Sequence, residues 1–368
     1  MKPVYSTIHE ALRSKAKIAK NLLLLNTPLS GFVRSCMNLL CNGQIEHIRE
    51  LTRKAPFVVE IETTNICNSA CVFCSYPYSK RKKGVMSMQV FQKVVENYVQ
   101  MGGGAVNLTP IDGDPLLDPH LLERIELLKK HKEIKQVITT TNGIALNKYS
   151  DQEIRRLLED LHLIKLSIGG LDKVTYKSMF NVDRFSQVMN GIERLIKIRD
   201  KVSNPAYINL TFRTNDPSFE ARFKPQLDEY REKSIDITHT HVFTNNCGSL
   251  NVDKEKEIVV GRTSSKKRLT CAFPCMSMVV CWDGVVSACD EDAEVKDLRI
   301  GHVANESLAE IWTGRKRREI LASFVKRKLT TACSKCSAYQ PDTAFADPIF
   351  KGLKPNQTLP KDFNLLNY

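Results

Sequence analysis

Short apolar stretches and amphipathic patterns alternate through the middle of the chain. Six stretches typical of buried strands cover Phe57–Ile61, Ala105–Leu108, Gln136–Thr140, Leu163–Ile168, Tyr207–Phe212 and Ile235–Thr238. Patterns with helical spacing lie between or after them, at Met88–Met101, His120–Lys130, Asp151–Leu158, Phe185–Arg199 and Phe219–Lys233. This alternation predicts an α/β fold with a parallel sheet. Because six units are fewer than the eight of a closed TIM barrel, we expect an open, partial (β/α)6 TIM-like barrel.

The pattern changes at two places, which divide the chain. Near the start, apolar residues recur at near-helical spacing until Pro28 interrupts them. After about residue 245 the alternation stops and cysteines become frequent. We therefore predict an N-terminal helical arm (1–55), a partial barrel (56–245), a small cysteine-rich C-terminal domain (246–340) and a tail (341–368).

The composition places the chain among globular proteins of a reducing compartment. Of its 368 residues, 42% are hydrophobic and 26% are charged, and no apolar run approaches the roughly 18 residues of a membrane helix. The sequence shows no export signal, so we expect a cytoplasmic protein without a membrane association. In that compartment the 12 cysteines are expected to bind metal or to carry chemistry rather than to form disulfides.

The formal net charge of +13 favours anionic partners. Basic residues are concentrated in several runs, one of which is Lys80–Lys83. No zinc-finger or RNA-recognition pattern accompanies them, so we expect no dedicated nucleic-acid binding. An anionic substrate or an acidic electron donor fits this charge, and a solvated basic surface is the plainer interpretation.

Three cysteines follow the first predicted strand within one short segment. Cys67, Cys71 and Cys74 have the spacing C-x3-C-x2-C. A [4Fe–4S] cubane has four irons, so three thiolates leave one iron open for a further ligand. In α/β folds, ligand chemistry is found at the carboxyl ends of the strands, where this segment lies. The alternative is a structural zinc site, for which the segment offers no fourth cysteine or histidine.

This segment resembles the signature of the radical S-adenosylmethionine (SAM) superfamily, which has an aromatic residue before its last cysteine. Phe73 occupies that position. The resemblance implies that Cys67, Cys71 and Cys74 hold a catalytic [4Fe–4S] cluster whose open iron binds SAM. It further implies that the reduced cluster cleaves SAM to a 5′-deoxyadenosyl radical, with electrons from a flavodoxin or ferredoxin-type donor.

Later strand ends carry segments similar to those that hold SAM in this superfamily. Asp112-Gly113-Asp114-Pro115 resembles a Gly-Gly-Glu-Pro segment, with two departures from it. Thr140–Gly143 is similar to a T-N-G stretch, and Lys165–Gly170 to an S-I-D-G stretch in which Gly169 replaces the aspartate. The resemblance therefore implies that the cofactor contacts Phe73, Asp112, Gly113, Asp114, Asn142 and Ser167.

The fifth strand has one polar and one apolar face. Asn209, Thr211 and Arg213 alternate with apolar residues, so they share a face of the strand. A barrel interior that holds SAM should be polar at its mouth. We expect Arg213 to pair with the SAM carboxylate through its planar guanidinium group.

A second group of six cysteines lies near the C-terminus. Gly284 precedes Cys289 by five positions in a predicted hairpin that turns at Asp283-Gly284, and Cys333 and Cys336 form a C-x2-C knuckle. Such knuckles bind zinc as well as iron, so zinc is the alternative. The group as a whole is Cys271, Cys275, Cys281, Cys289, Cys333 and Cys336.

This region resembles the SPASM or twitch auxiliary-cluster domains of radical SAM enzymes. Ser307–Trp312 is similar to their S-L-x-E-I-W helix. No cysteine follows Cys336, which favours one auxiliary cluster. The resemblance implies a second [4Fe–4S] cluster, closed by four cysteines, with Cys275 or Cys281 as possible replacements for the first of them. The implied ligands are Cys271, Cys289, Cys333 and Cys336. Cys36, Cys41 and Cys247 receive no role and are expected to be buried thiols.

Together these resemblances indicate an oxidoreductase. In this hypothesis the radical abstracts hydrogen from a peptide or from a small sugar or cyclitol, and the auxiliary cluster accepts the second electron. The first alternative is a redox-neutral epimerase or rearrangement enzyme. An alternative from another class is a binding protein stabilised by zinc at both sites.

Overall fold

The computed structural model of the chain describes residues 46–109, 111–250, 258–261, 268 and 270–341. The predicted N-terminal arm before residue 46 and the tail after residue 341 lie outside this range. A helix, α1, covers residues 46–54. Among the described residues, no helix combines the length and apolar character needed to cross a membrane.

Eleven strands are present in the described residues. They are β1 (Val58–Ile61), β2 (Gly104–Asn107), β3 (Ile134–Thr141), β4 (Leu163–Ile168), β5 (Tyr207–Arg213), β6 (Asp236–Thr240), β7 (Val242–Phe243), β8 (Val259–Val260), β9 (Ser277–Val280), β10 (Val285–Ser287) and β11 (Arg299–His302).

The helices lie mostly between the strands. After α1 they are α2 (Met88–Gln100), α3 (Leu121–Lys129), α4 (Asp151–Asp160), α5 (Lys173–Phe180), α6 (Phe185–Arg199), α7 (Phe219–Arg222), α8 (Lys224–Glu232), α9 (Phe273–Met276), α10 (Leu308–Thr313), α11 (Arg315–Val325) and α12 (Thr331–Lys335). Short 3-10 turns cover Tyr76–Tyr78, Pro115–Leu117, Ile144–Lys148 and Asn246–Gly248.

Nine strands form one sheet in the order β11-β10-β9-β1-β2-β3-β4-β5-β6. The first six strands of the chain are neighbours in sequence order, and each pair between them is parallel. The connections contain helices, as parallel pairing requires. The predicted α/β class and partial barrel are confirmed.

Alternation along β5 explains which side of the sheet faces the core. Ile208, Leu210 and Phe212 are buried among the helices. Asn209 and Thr211 point to the opposite, concave face, where the Thr211 hydroxyl donates to Asn209 Oδ1 at 2.6 Å. The period-two pattern in the sequence therefore predicts the polar interior of the barrel correctly.

The C-terminal strands extend the barrel sheet instead of forming a separate one. β9 pairs in parallel with β1, and β10 returns antiparallel to β9 through a turn at Gly284, which has φ +88°. The Asp283-Gly284 turn was predicted from the sequence, whereas the pairing with β1 was not. The predicted domain boundary near residue 245 is thus crossed by a continuous sheet, and it stays a prediction.

The structure differs from the predicted helices at two places. The single helix predicted for Phe219–Lys233 is divided into α7 and α8 at Phe223, and Pro225 lies in the first turn of the second helix. Helix α5 was missed, although Asp172 caps it by accepting from the Thr175 backbone N–H at 2.8 Å. Its eight residues are too few to show a clear apolar period.

The C-terminal helices pack against the first described helix. Trp312 of α10 is fully buried, and its indole N–H donates to the Thr52 carbonyl at 2.8 Å. The Arg317 guanidinium lies over the same ring, 3.3 Å from its centroid. A capping box at Ser307 and Glu310 begins this helix, as the S-x-x-E pattern predicts.

Candidate active site

The loop after β1 brings Cys67, Cys71 and Cys74 together at the carboxyl end of the sheet. Backbone hydrogen bonds fix this loop to the end of α5, from Ala70 N to Phe180 O at 3.2 Å and from Val72 N to Met179 O at 2.9 Å. The three thiols are half-buried. The spacing C-x3-C-x2-C therefore places its thiols on one accessible loop, as predicted.

Each of these thiols has a polar hydrogen-bonding neighbour. The Asn142 side-chain amide lies 3.7 Å from Cys67 Sγ, the Tyr76 backbone N–H lies 3.4 Å from Cys74 Sγ, and the Ser69 hydroxyl lies 3.2 Å from Cys71 Sγ. Hydrogen bonds to cluster sulfurs tune the reduction potential of iron–sulfur sites. Asn142, predicted to lie near the cofactor, does lie at the site.

The thiols are protonated in the metal-free protein. Burial, reinforced by Asp114, raises the pKa of Cys67 to about 12, and burial with Asp112 raises that of Cys74 to about 11. Burial also raises the pKa of Cys71. Metal binding needs thiolates, so a cluster bound here would displace protons from the three cysteines.

Two buried polar atoms beside the cysteines have no hydrogen-bond partner in the described structure. Asp112 Oδ2 is one of them; the other carboxylate oxygen of Asp112 accepts from the Ser75 hydroxyl at 2.8 Å. Arg213 Nε is the other. One atom accepts and one donates, which fits the ammonium and carboxylate groups of an amino acid such as the methionine part of SAM.

Asp114 has a different environment from Asp112. Its carboxylate accepts from the Thr141 hydroxyl at 2.9 Å, from Asn142 N at 2.7 Å and from Leu116 N at 3.0 Å. These bonds join the ends of β2 and β3. Between the two aspartates, Gly113 has φ +112°, and a Cβ there would lie 2.7 Å from Thr64 O, so the position requires glycine.

Phe73 shapes the wall of the site. Its ring stacks on Phe243 with a centroid distance of 4.8 Å and contacts Phe180 edge-on at 5.7 Å. The Arg213 guanidinium lies over the same ring, 5.4 Å from its centroid. The aromatic residue of the motif thereby positions the one arginine that the sequence analysis assigned to the cofactor.

The remaining predicted position, Ser167, lies on the concave face of β4, in register with Thr211 of β5. It is half-buried. Gly169, which follows it, allows α5 to approach closely, because a Cβ there would lie 2.8 Å from the Phe180 ring. The glycine that replaces the aspartate of the family pattern thus has a packing role.

An ion pair between Glu62 and Arg81 joins the two ends of the cysteine loop. Glu62 is fully buried, and both of its oxygens accept from the Arg81 guanidinium. Burial raises the pKa of Glu62, and the hydrogen bonds from Arg81 oppose that rise. The Trp282 ring packs over Gly84 and its N–H donates to the Lys82 carbonyl at 3.2 Å, so this segment joins the C-terminal hairpin to the loop.

The barrel interior carries basic side chains on one wall and carboxyl groups on the other. Lys165 of β4 lies beside Arg213, and burial, reinforced by Arg213, lowers the pKa of Lys165 to about 7. The other wall carries Glu60 of β1 with Asp290 and Glu291, which follow β10. Burial is the main cause that raises the pKa of each of these carboxyl groups.

A second pocket gathers cysteines from four separate parts of the chain. Arg268, Phe273 and Leu298 are among the residues around it. Arg268 donates to the Cys336 carbonyl at 2.7 Å. The cysteines that line the pocket are Cys247, Cys271, Cys289, Cys333 and Cys336.

The four cysteines expected at the auxiliary site are thus brought together, and neither possible replacement joins them. Cys275 lies in a different apolar cluster, with Phe57 and Ile48. Cys281 is fully buried near Glu62 and Arg81. Cys247 is the unexpected member, and its position 24 residues before Cys271 carries no local pattern that predicts it.

Within the described residues, no group of three or more His, Cys, Asp or Glu side chains surrounds one point closely enough to hold a single metal ion. A [4Fe–4S] cubane is wider than one ion, and its thiolates stand correspondingly farther apart.

Comparison with known families identifies two domains in the chain. Residues 61–209 match the radical SAM superfamily, and residues 271–337 match the SPASM family, described as an iron–sulfur cluster-binding domain. The chain belongs to the radical SAM superfamily. Its cofactors are therefore SAM and two [4Fe–4S] clusters, and the expected radical SAM enzyme with a C-terminal SPASM-type domain is confirmed.

Curated relatives of this radical SAM enzyme are named GTP 3′,8-cyclase. The protein of Mannheimia succiniciproducens is 31% identical over 174 residues, which are 46% of this chain and 49% of that protein. The protein of Petrotoga mobilis is 28% identical over 154 residues, covering 41% and 45%. The chain spans about half the length of the curated relatives it matches.

Solved structures share the fold of this enzyme. Streptococcus suis SuiB, bound to precursor peptide SuiA, has a TM-score of 0.58 at 12% identity and covers 97% of this chain and 88% of its own. The structure of anSMEcpe with bound AdoMet has a TM-score of 0.52 at 20% identity and covers 73% and 84%. At these identities the likeness concerns the fold.

The prediction of an oxidoreductase that acts on a peptide, sugar or cyclitol is wrong. The curated relatives are GTP 3′,8-cyclases, whose name denotes a ring closure within a nucleotide. The cysteine motifs describe how the radical is generated and do not describe the substrate. A closed auxiliary cluster therefore does not imply a net oxidation. The alternative of a redox-neutral rearrangement agrees with these names.

Several residues of the site were not found from the sequence. Glu60 and Lys165 lie within apolar stretches that predict strands and were given no role of their own. The signal that could identify them is a charged residue in a buried parallel strand, where charge is costly unless it is paired or functional.

Proposed function

We propose that this radical SAM enzyme carries out a redox-neutral rearrangement of a purine nucleotide. The observation that carries the proposal is the placement of a basic side chain and of carboxyl groups on different walls of the barrel interior. Lys165 can bind phosphate oxygens on one wall. Glu60 and Glu291 on the other wall can accept hydrogen bonds from the N–H groups of a purine base.

The relatives named GTP 3′,8-cyclase support this substrate class, because one of them is 31% identical to this chain over 174 residues. An anionic ligand also suits a chain with a net charge of +13. The hydrogen that the radical abstracts stays in 5′-deoxyadenosine. After ring closure, the product radical therefore has to take up one electron from the reductant and one proton from solvent, and the product then has the mass of the substrate.

We assign the two clusters to the two cysteine groups. Cys67, Cys71 and Cys74 would hold the cluster that binds SAM, with Asp112 and Arg213 beside the ammonium and carboxylate groups of the cofactor. This cluster supplies the 5′-deoxyadenosyl radical when SAM is bound. The C-terminal cysteine pocket would hold the second, closed cluster.

The electron that the first cluster needs is proposed to come from a flavodoxin or ferredoxin-type protein. Lys80, Lys82 and Lys83 are exposed on the segment that follows the cysteine loop. Lys83 also lies over the Tyr76 ring, 4.0 Å from its centroid. These basic side chains suit an acidic electron donor.

The test uses the full chain, reconstituted with iron and sulfide under anaerobic conditions and reduced in the presence of SAM. Adding GTP should accelerate the formation of 5′-deoxyadenosine and yield a product of unchanged mass, followed by liquid chromatography and mass spectrometry. The variant Cys71→Ala is the control and should form no 5′-deoxyadenosine. The proposal fails if no purine nucleotide accelerates SAM cleavage, or if the product is two mass units lighter.

A further inference from the structure

The auxiliary pocket contains one more cysteine than a [4Fe–4S] cluster uses. Five thiols surround it, and a closed cubane takes four. Four of them lie within residues 271–337, the part that matches the iron–sulfur cluster-binding domain. Cys247 lies outside this part and reaches the pocket from the segment after β7.

Cys247 is directed at one particular cysteine of the pocket. Its thiol is a hydrogen-bonding partner of the Cys336 thiol. Cys289 lines the same pocket. Two sulfurs in mutual contact can reach the same iron of a cubane. Only one of them can bind it at a time, because a cluster iron bonds a single thiolate from outside the cubane.

The backbone around Cys247 holds it in this position. Cys247 has left-handed dihedral angles, φ +54° and ψ +27°, which a non-glycine residue adopts only where the surrounding structure enforces them. The enforcing contacts come from Asn245 immediately before it. The Asn245 backbone N–H donates to the Ser337 hydroxyl at 2.8 Å, and its side-chain amide donates to the Lys335 carbonyl at 2.8 Å.

A third bond completes this clamp, from the Ser337 backbone N–H to Asn245 Oδ1 at 3.0 Å. The partners of Asn245 flank Cys336 on both sides. The segment that carries Cys247 is therefore fixed to the same turn that carries Cys336, and the two thiols move together.

We propose that Cys247 is a ligand of the auxiliary cluster and that it shares one coordination position with Cys336. Cys271, Cys289 and Cys333 supply the other three positions. Either member of the pair completes the cluster, so the site tolerates the loss of one of them and not of both.

The experiment counts iron in a background that lacks the first cluster. Cys67, Cys71 and Cys74 are replaced together by alanine, and the protein is reconstituted anaerobically with iron and sulfide. In this background Cys336→Ser and Cys247→Ser should each keep about four irons per chain. The double variant Cys247→Ser/Cys336→Ser should lose the cluster, as should Cys289→Ser.

Electron paramagnetic resonance of the reduced protein gives a second readout. Cys336→Ser should retain the cluster signal with shifted g values, because a different thiolate then binds the same iron. The proposal is overturned if Cys336→Ser loses iron as completely as Cys289→Ser, or if the double variant retains a full cluster.

Cys275→Ser is the matched control, since Cys275 is a buried cysteine of the same domain outside the pocket. The double variant Cys275→Ser/Cys336→Ser should keep its cluster, because Cys247 is still present. Far-UV circular dichroism of each metal-free variant checks folding, and alanine replaces serine at any position where the serine variant does not fold. None of these measurements uses a substrate, so their outcome is independent of the proposed reaction.

Discussion

Asp112 and Asp114, which are separated only by Gly113, have different hydrogen-bonding environments at the first cluster site. The Asp114 carboxylate accepts hydrogen bonds that join the ends of β2 and β3. Asp112 keeps one buried oxygen without a partner beside Cys74. A buried, unpaired acceptor is costly unless a ligand satisfies it. The free oxygen of Asp112 is therefore better placed than Asp114 to meet a ligand cation.

We predict that Asp112→Asn weakens SAM binding about tenfold or more, because a hydrogen bond to a charged group contributes roughly 1.5–3 kcal/mol. Anaerobic isothermal titration calorimetry measures the dissociation constant. Asp114→Asn is the matched control and should lower the melting temperature with a smaller change in SAM affinity. The reverse pattern, with Asp114 dominating SAM affinity at full iron content, would contradict this assignment.

Lys165 gives the barrel interior a dependence on pH. Its pKa of about 7 means that it carries its charge below that pH and loses it above. We predict that affinity for a phosphate-bearing nucleotide decreases as the pH rises through about 7. Lys165→Met should bind weakly at pH 6 and show a flatter profile. Titration calorimetry between pH 6 and pH 9 measures this, and an unchanged profile in the variant would refute it.

The same group affects stability with the opposite sign. Its pKa is lowered in the folded protein, so between about 7 and about 10 the unfolded chain binds the extra proton at Lys165. This contribution to the free energy of unfolding therefore rises with pH across that window. Lys165→Met should remove the rise, which urea unfolding at several pH values detects.

At the scale of elements, the cysteine loop depends on the pair between Glu62 and Arg81. The Glu62 side chain is fully buried and the Arg81 side chain is 10% exposed. Glu62 also accepts a hydrogen bond from the Asp112 backbone N–H at 3.4 Å. Removing one partner leaves a buried charge without compensation. The loop, the Asp112 turn and the C-terminal hairpin all meet at this pair.

We predict that Arg81→Met lowers the free energy of unfolding by about 3–5 kcal/mol, the usual cost of a stranded buried charge. The double variant Glu62→Met/Arg81→Met should recover much of that loss. Lys82→Met, on the same segment with an exposed side chain, should change stability little. Denaturant unfolding of the metal-free proteins gives the three values; equal losses in the single and double variants would show that the pair is not the cause.

Elements defined by local pattern were predictable from the sequence. Helix α6 has the predicted bounds because its apolar positions follow a helical period over four turns. Helix α5 is short and begins just after Gly169-Gly170, so its pattern is lost among turn signals. Cys67, Cys71 and Cys74 were predictable because they lie on one loop.

The features that could not be predicted depend on contacts between distant segments. Nothing in the local sequence of β9 indicates β1 as its neighbour. Cys247 reaches the auxiliary pocket through a clamp to Ser337, about 90 residues further along the chain. Asp112 Oδ2 and Arg213 Nε are left without hydrogen-bond partners by their tertiary surroundings, which periodicity does not describe.

At the scale of the whole molecule, one sheet joins the barrel to the cluster-binding domain. Glu62 N donates to Val280 O at 2.9 Å, directly beyond the paired residues of β1 and β9. The two matched domains of the chain therefore share a hydrophobic core and a set of backbone hydrogen bonds. Shared structure of this kind couples the stability of the two parts.

We predict that the two parts unfold in a single transition. Both tryptophans, Trp282 and Trp312, lie in the C-terminal part, whereas most helices that dominate circular dichroism lie in the barrel. Urea unfolding followed by tryptophan fluorescence and by far-UV circular dichroism should therefore give coincident curves. Two separated midpoints would show that the domains unfold independently.

The position of β1 between β2 and β9 also has a consequence for synthesis. β2 leaves the ribosome soon after β1, but roughly 200 residues separate β1 from β9. At about 5–20 residues per second, that interval is on the order of 10–40 s. Throughout it, one edge of β1 has no strand beside it, and open strand edges are sites of aggregation. The nascent chain is therefore most vulnerable next to its catalytic loop, until its last hundred residues emerge and close that edge.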